Sequence, residues 1–215
     1  RDNNRVFSMS DGKYNMLVDR TSSEKIEYPT SIRTLDNGSI AVLCEGDQSI
    51  RSISDRGRIS TILNPGVIEG MKDIAVDNKG GLYVVSRYLG QVFKVVGSDK
   101  VELVAGAKKG TGLRGNGITA KEAELFGPVA IDFDISGRLY IAEAGRGLIR
   151  YIEDDSLLYT IAGGGFSWDG IGYAKSMDVK LEHLSYMRLG PGPSIYLSQM
   201  IDHVIRVVSV KQEPS

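Results

Sequence analysis

The sequence predicts an all-β chain, a β-propeller of four-stranded antiparallel blades. Three observations carry that reading. One pattern of segments recurs four times, its short runs are rich in β-branched and aromatic residues, and 26 glycines occur without low complexity. Short strands joined by tight glycine turns at a repeat of about 40 to 50 residues are the signature of a propeller.

The four copies begin at Ser31 (SIRTLDNGSIAVLCEGDQSIRSIS), Asp73 (DIAVDNKGGLYVVSRYLGQVFKVV), Ala130 (AIDFDISGRLYIAEAGRGLIRYIE) and Tyr186 (YMRLGPGPSIYLSQMIDHVIRVVS). Each reads as an apolar strand, a polar turn, an apolar strand, a loop and a third strand with a basic residue at its centre. The turn positions are Gly38, Gly80, Gly137 and Pro193, spaced by 42, 57 and 56 residues. The basic residues are Arg51, Lys94, Arg150 and Arg206. A fourth strand follows in three copies: ISTILN from Ile59, VELVAG from Val101 and LLYTIAG from Leu157. Runs such as LYVVS and LYIAE suit a pleated, half-buried surface.

Taken in order, RVFSMS and YNMLV at the N-terminus align with the third and fourth strands of a unit. Units then span approximately 28–70, 71–127 and 128–185, and the last joins 186–210 to 5–20 in one domain over 1–215. Propellers close by pairing strands from the two chain ends, which removes sheet edges. The ends here bring three plus two strands. The expectation is therefore a propeller of four to five blades closed by its terminal strands, with a segment of a six-bladed propeller as the other reading. The two longer spacings hold glycine-rich insertions, Ala105 to Pro128 and Ala162 to Ser185. Each ends in an apolar-spaced segment (AKEAELF, MDVKLEHL) that reads as a crossover with one helical turn. Tight loop geometry explains these glycines. GTGLRGNG lacks the Lys-Ser/Thr ending and the following helix of a phosphate-binding loop.

Composition narrows the function. Lys plus Arg number 26 and Asp plus Glu 27, so the net charge is -1. That excludes the basic footprint of a duplex-binding protein and of a polybasic membrane-surface module. No apolar run reaches the roughly 20 residues of a membrane helix. A single cysteine, Cys44, forms no internal disulfide and reads as a small buried hydrophobe. The start at Arg1, without a signal peptide, suggests a mature form or a domain taken from a longer chain. The compartment is open, with extracellular, cell-surface or virion-associated settings favoured.

GPVAIDFDISGRLYIAEAGRGLIRYIE followed by LLYTIAGGG closely resembles the NHL repeat, whose pattern runs P-x-G-I-A-V-D-x-x-G-N-L-Y-I-A-D-x-x-N-x-R-I-R-K-V with a T-x-A-G-x-G-x-x-G turn. The likeness covers nearly the whole chain, and its insertions are similar to those of bacterial and teneurin NHL repeats. Where the pattern has a loop Asp, this chain has Cys44, Ser86, Glu143 and Gln199. The resemblance implies a propeller and leaves function open.

No catalytic constellation is legible. His183 and His203 stand alone and read as surface or hydrogen-bonded residues, fewer than the zinc-binding histidines of NHL-like amidating lyases. No G-x-S-x-G, H-E-x-x-H or C-x-x-C is present. Gluconolactonase-like propellers hold a divalent cation with Glu, Asn and Asp. Glu45, Glu143, Asp132 and Asn116 are the matching types here, without a spacing that brings them together. No cofactor and no metal ligand are therefore assigned. The recurring basic residues and the recurring Asp36, Asp77 and Asp134 read as structural, tying blade to blade.

Binding residues should be those that vary between units in the loop joining the second and third strands: Glu45, Asp47, Arg87, Tyr88, Glu143, Arg146, Gln199, Met200 and Asp202. Loops gathered on one end of a rigid scaffold form a recognition face. Trp168, beside Phe166 and Tyr173, is a further candidate anchor, or else a lid over the core. The leading expectation is a non-catalytic module that binds a protein or glycan partner, or forms a homo-oligomer or larger assembly. The alternative is a metal-dependent hydrolase or lyase of the gluconolactonase type with a cation near Glu143. RNA binding is a weaker third reading, disfavoured by the balanced charge.

Overall fold

The computed structural model describes residues 4–18, 25–108, 110, 112, 114–153, 156–165, 175–192, 194–201 and 203–209. Among these are eighteen strands and no helix. The first blade is β3 (Pro29–Thr34), β4 (Ile40–Cys44), β5 (Ser49–Ile53) and β6 (Ile59–Leu63), hydrogen-bonded in chain order. The second is β7 (Met71–Val76), β8 (Leu82–Ser86), β9 (Gln91–Gly97) and β10 (Lys100–Ala105). The third is β12 (Pro128–Phe133), β13 (Leu139–Glu143), β14 (Leu148–Ile152) and β15 (Leu157–Gly163). The fourth has three strands, β16 (Leu184–Leu189), β17 (Ser194–Gln199) and β18 (Val204–Ser209). The hairpin β1 (Val6–Ser10) and β2 (Lys13–Val18) forms a sheet of its own. All pairings are antiparallel, so the expected propeller of four-stranded antiparallel blades is what the chain forms.

Alternation along each strand explains the stacking. Successive side chains point to opposite faces of a blade. In β4, Ala41 and Leu43 face the second blade and join Ile50, Ile74 and Val84 in one core cluster. Val42 and Cys44 face the other way, onto Val6 and Val18 of the hairpin. The same division repeats between the second and third blades (Val85, Val92, Ile131, Ile141) and between the third and fourth (Ala142, Ile149, Met187, Leu197). The core is thus a series of apolar layers between blades.

Strand register corrects several sequence readings. Val42 opposes Arg51, Val84 opposes Phe93, Ile141 opposes Arg150 and Leu197 opposes Arg206. Phe93, not Lys94, is therefore the equivalent of the three arginines. Asp36 is also out of register: the turn bond made by Asp77 and Asp134 is made by Leu35 in the first blade, and Asn37 supplies the carbonyl oxygen that caps Ser39. Pro193 lies outside the described residues.

The described residues of the crossover after the second blade hold no helix; its apolar-spaced segment makes a single hydrogen-bonded turn, with Glu122 N–H to Thr119 O and Ala123 N–H to Ala120 O. Its Ile118–Thr119 forms a short strand, β11, that pairs with Leu158 and Leu157 on the outer edge of the third blade. Pairing of the two chain ends is absent among the described strands, since β18 bonds only β17 and β1–β2 stands apart. The hairpin instead packs its Val6 and Val18 against the first blade.

Two backbone positions repeat for a steric reason. Tyr28, Gly70, Gly127 and His183 each precede or begin a blade with positive φ (49°, 66°, 59° and 52°) and offer their carbonyl to the loop after the second strand. Gln48, Gly90, Gly147 and His203 form the second set, with φ of 55°, 68°, 60° and 52°. At Gly147 a Cβ would lie 1.9 Å from the Leu181 carbonyl oxygen, so no larger residue fits there.

Candidate functional site

Antiparallel order places two sets of loops on one end of the propeller: those joining second to third strands, and the crossovers between blades. Backbone bonds confirm the meeting: Glu45 N–H to Tyr28 O, Arg87 N–H to Gly70 O, Ala144 N–H to Gly127 O and Met200 N–H to His183 O. This is the end that carries the sequence-predicted binding residues.

Those residues divide sharply. Glu143 is fully buried at the end of β13. It accepts the Phe126 amide at 2.7 Å and Arg150 Nη1 at 3.2 Å, and it lies 3.7 Å from Arg146 Nη1. Burial pushes its carboxyl up, against the Phe126 amide and the two guanidinium groups. Gln199 is buried at the matching place on β17, where its amide donates to Glu182 O at 2.6 Å and its oxygen accepts from Arg206. Ser86 holds that place on β8 and donates to Glu69 O at 2.6 Å. Cys44 holds it on β4, and burial drives its thiol up to about 11. The position is a staple between a blade and its own entry loop, so Glu143 and Gln199 do not belong to a binding face. Sequence variation there reflected three ways of making one internal bond, at Ser86, Glu143 and Gln199, whereas the Cys44 thiol donates to Val42 O of its own strand.

Asp47 is a turn residue: it accepts from Ser49 and pairs with Arg51 at 3.0 Å. Arg146 is half-buried, bonded to Glu124 O and Glu124 Oε2 and set 5.6 Å from the Phe126 ring. Asp202, Trp168, Phe166 and Tyr173 lie outside the described residues.

What remains is Glu45, half-buried and ion-paired with Lys72, together with the exposed Arg87, Tyr88 and Met200. Tyr88 is 71% exposed on a rigid turn. Ser86 Oγ accepts the Leu89 amide beneath it, and Gly70 packs directly under its Cβ. Two neighbours on the same end were missed by the sequence reading, Tyr28 and Phe126, both exposed aromatics just before a blade's first strand. Their signal was the repeat-locked turn, where Tyr28 occupies the positive-φ position and Phe126 precedes it. The exposed set therefore puts an aromatic or apolar side chain on every blade (Tyr28, Tyr88, Phe126, Met200), interleaved with charge of both signs.

The axis holds a second cluster. Asp73 on β7 is fully buried. It accepts Ser31 Oγ at 2.6 Å, Arg188 Nη1 at 2.8 Å, the Ile131 amide at 3.1 Å and, more weakly, Arg33 Nη2 at 3.5 Å. All four inner strands meet at this carboxylate, and the Tyr186 hydroxyl bonds Thr30 O to bring β16 beside β3. Burial pulls both guanidinium groups down; the Asp73 bonds outweigh it at Arg188 but not at Arg33.

Among the described residues, no three His, Cys, Asp or Glu side chains gather as a metal site. The oxygens considered for a cation are committed elsewhere. Glu143 is taken by the groups above, Asp132 by the Phe133 and Leu189 amides, Asn116 by the Thr160 amide and Glu45 by Lys72. The described residues do not fit a resident divalent cation.

No protein-family profile matches the chain. Mouse teneurin-4 is 25% identical over 164 residues, a match covering 61% of this chain and 6% of that protein. Among solved structures, a virginiamycin B lyase from Staphylococcus aureus superposes with a TM-score of 0.61 at 14% identity, over 98% of this chain and 64% of that one. An auxiliary nutrient binding protein from Bacteroides thetaiotaomicron gives 0.66 at 14% identity, over 91% and 50%. A chain of a nidogen/laminin complex gives 0.56 at 11% identity, over 97% and 87%. The chain thus spans a small fraction of teneurin-4 and less than two thirds of the lyase. These proteins share an architecture with the chain, and with its strand order and blade stacking that architecture is the β-propeller.

Proposed function

We propose that the chain is a non-catalytic, NHL-like propeller module that binds a protein or glycan partner through its loop end. The observation that carries the reading is Tyr88, an aromatic held out on a rigid turn beside exposed Arg87. Aromatic residues on preorganised turns cost little ordering entropy on binding and dominate interface energetics. Support also comes from the similar folds of a nutrient-binding protein and of a chain in a nidogen/laminin complex. The lyase shares the fold as well, but among the described residues every buried carboxylate at the loop end or the axis is paired with arginine.

The test compares the wild type with R87E/Y88A on arrays of extracellular glycans and purified extracellular domains. A ligand retained by the wild type and lost by the variant supports the loop face. Equal binding by both proteins overturns it. A purified chain that holds a stoichiometric divalent cation and opens lactones would favour the hydrolase reading instead.

A further inference from the structure

We propose that the loop end, where the second blade meets the third, binds a sugar acid: the carboxylated pyranose of a uronate or sialate glycan. This ligand presupposes the loop-end recognition proposed above.

A reciprocal rule seats the rings of this end. In each of the first three blades the entry loop touches the tip of the loop after the second strand. One side of that contact is glycine and the other is aromatic. A Cβ at Gly46 would meet the Tyr28 ring, one at Gly70 the Cβ of Tyr88, and one at Gly145 the Phe126 ring. Each glycine leaves the room that its aromatic partner occupies, and the rings still face solvent, with Tyr28 51%, Tyr88 71% and Phe126 46% exposed. An aromatic side chain anchored in this way has only two torsions to order on binding.

Tyr88 and Phe126 are the two rings with charge placed for one ligand. Arg87, next to Tyr88, reaches toward the third blade. Its Nε lies 4.0 Å from where a Cβ at Gly127 would stand, beside Phe126. The Arg87 side chain is exposed and has no hydrogen bond or ion pair among the described residues. Arg146 differs: it lies over the Phe126 ring and is bound to Glu124. Glu69 is exposed in the entry loop under Tyr88, where its carbonyl accepts Ser86 Oγ.

These groups select the ligand by its chemistry. The Arg87 fork can take a carboxylate through two parallel N–H bonds. An aromatic face carries negative charge. The C–H bonds on one side of a pyranose are partially positive, so a sugar lies on such a face while its hydroxyl rim stays in water. The Glu69 carboxylate accepts sugar hydroxyls. It also limits the charge of the ligand, because a sulfated or phosphorylated polyanion would meet this acid on a chain whose net charge is -1. A protein partner fits less well, since charged side chains separate the rings and leave no continuous apolar centre.

Isothermal titration calorimetry tests the site on wild type, R87Q, Y88A and F126A. The probes are tetragalacturonate, α2,8-linked disialic acid, the methyl ester of each, and neutral maltotetraose. All three substituted side chains are exposed or at the surface, and circular dichroism checks each fold. The wild type is expected to bind one of the two acids, and the one it binds identifies the source. Its ester should bind about tenfold more weakly or worse, the loss of a charged hydrogen bond. R87Q should lose a similar factor for the acid and nothing for the ester. Y88A and F126A should weaken both forms. A wild type that binds neither acid, or binds acid and ester equally, overturns the proposal. So does R87Q binding the acid as tightly as wild type does. Maltotetraose bound by wild type and lost by Y88A, with R87Q unaffected, would keep the loop end as a recognition face and overturn only the sugar acid. Acid binding that survives all three substitutions would overturn both.

Discussion

Replacing Asp73 with Asn tests the axial cluster. The substitution keeps the shape and the ability to accept one or two hydrogen bonds, but removes the charge that Arg33 and Arg188 share. Asp73 is fully buried, and its bonds reach β3, β12 and β16 from β7. Removing one partner of a buried ion pair costs about 3–5 kcal/mol. The low end applies here, because the Arg188 side chain remains 35% exposed and partly solvated. A loss of about 3 kcal/mol at an m-value of about 2 kcal/mol/M lowers the urea midpoint by about 1.5 M. Urea unfolding followed by tryptophan fluorescence and circular dichroism gives the number. The triple variant D73L/R33M/R188M should recover most of the loss, because a well-packed apolar replacement of a buried ion cluster is close to neutral. A D73N midpoint within about 0.2 M of wild type, under 0.5 kcal/mol by the same m-value, would refute the view that this carboxylate clamps the inner strands.

Two further outcomes follow from titratable groups. The Cys44 thiol is fully buried and pushed up to about 11, so Ellman's reagent at pH 8 should leave the native chain unlabelled and label it stoichiometrically in guanidinium; fast native labelling would contradict the packing of Cys44 against the hairpin. Burial alone would raise Asp77, yet the Gly81 and Lys79 amides, the Tyr83 hydroxyl and Lys94 hold it below its ordinary 3.8. A lowered folded value means that its stabilisation is present above 3.8 and fades as pH falls through the folded value. The stability gap between wild type and D77N should therefore narrow on acidification, and a gap that stays constant from pH 7 to pH 2 would sink this account.

The fold was legible in the sequence because a propeller writes each blade locally. Alternation in LYVVS and LYIAE, a glycine turn before each second strand, and repetition along the chain are all properties of short segments, and each blade needs only its neighbours to bury its faces. The site was legible only in part. Counting along the chain put Lys94 level with Arg51 and placed Asp36 with Asp77, whereas hydrogen-bond register shifted each by one, and a shift of one exchanges the two faces of a strand. Glu143 and Gln199 read as variable surface residues because sequence cannot tell a loop-end side chain that faces solvent from one that bonds its own entry loop. The convergence of Ser31, Arg33, Asp73 and Arg188 was likewise out of reach: their separations in sequence run to more than a hundred residues, and only the closing of four inner strands around one axis brings them to a single carboxylate. The local pattern determined what the blades are made of, and the tertiary arrangement decided which of their charges are buried and which of their aromatics are displayed.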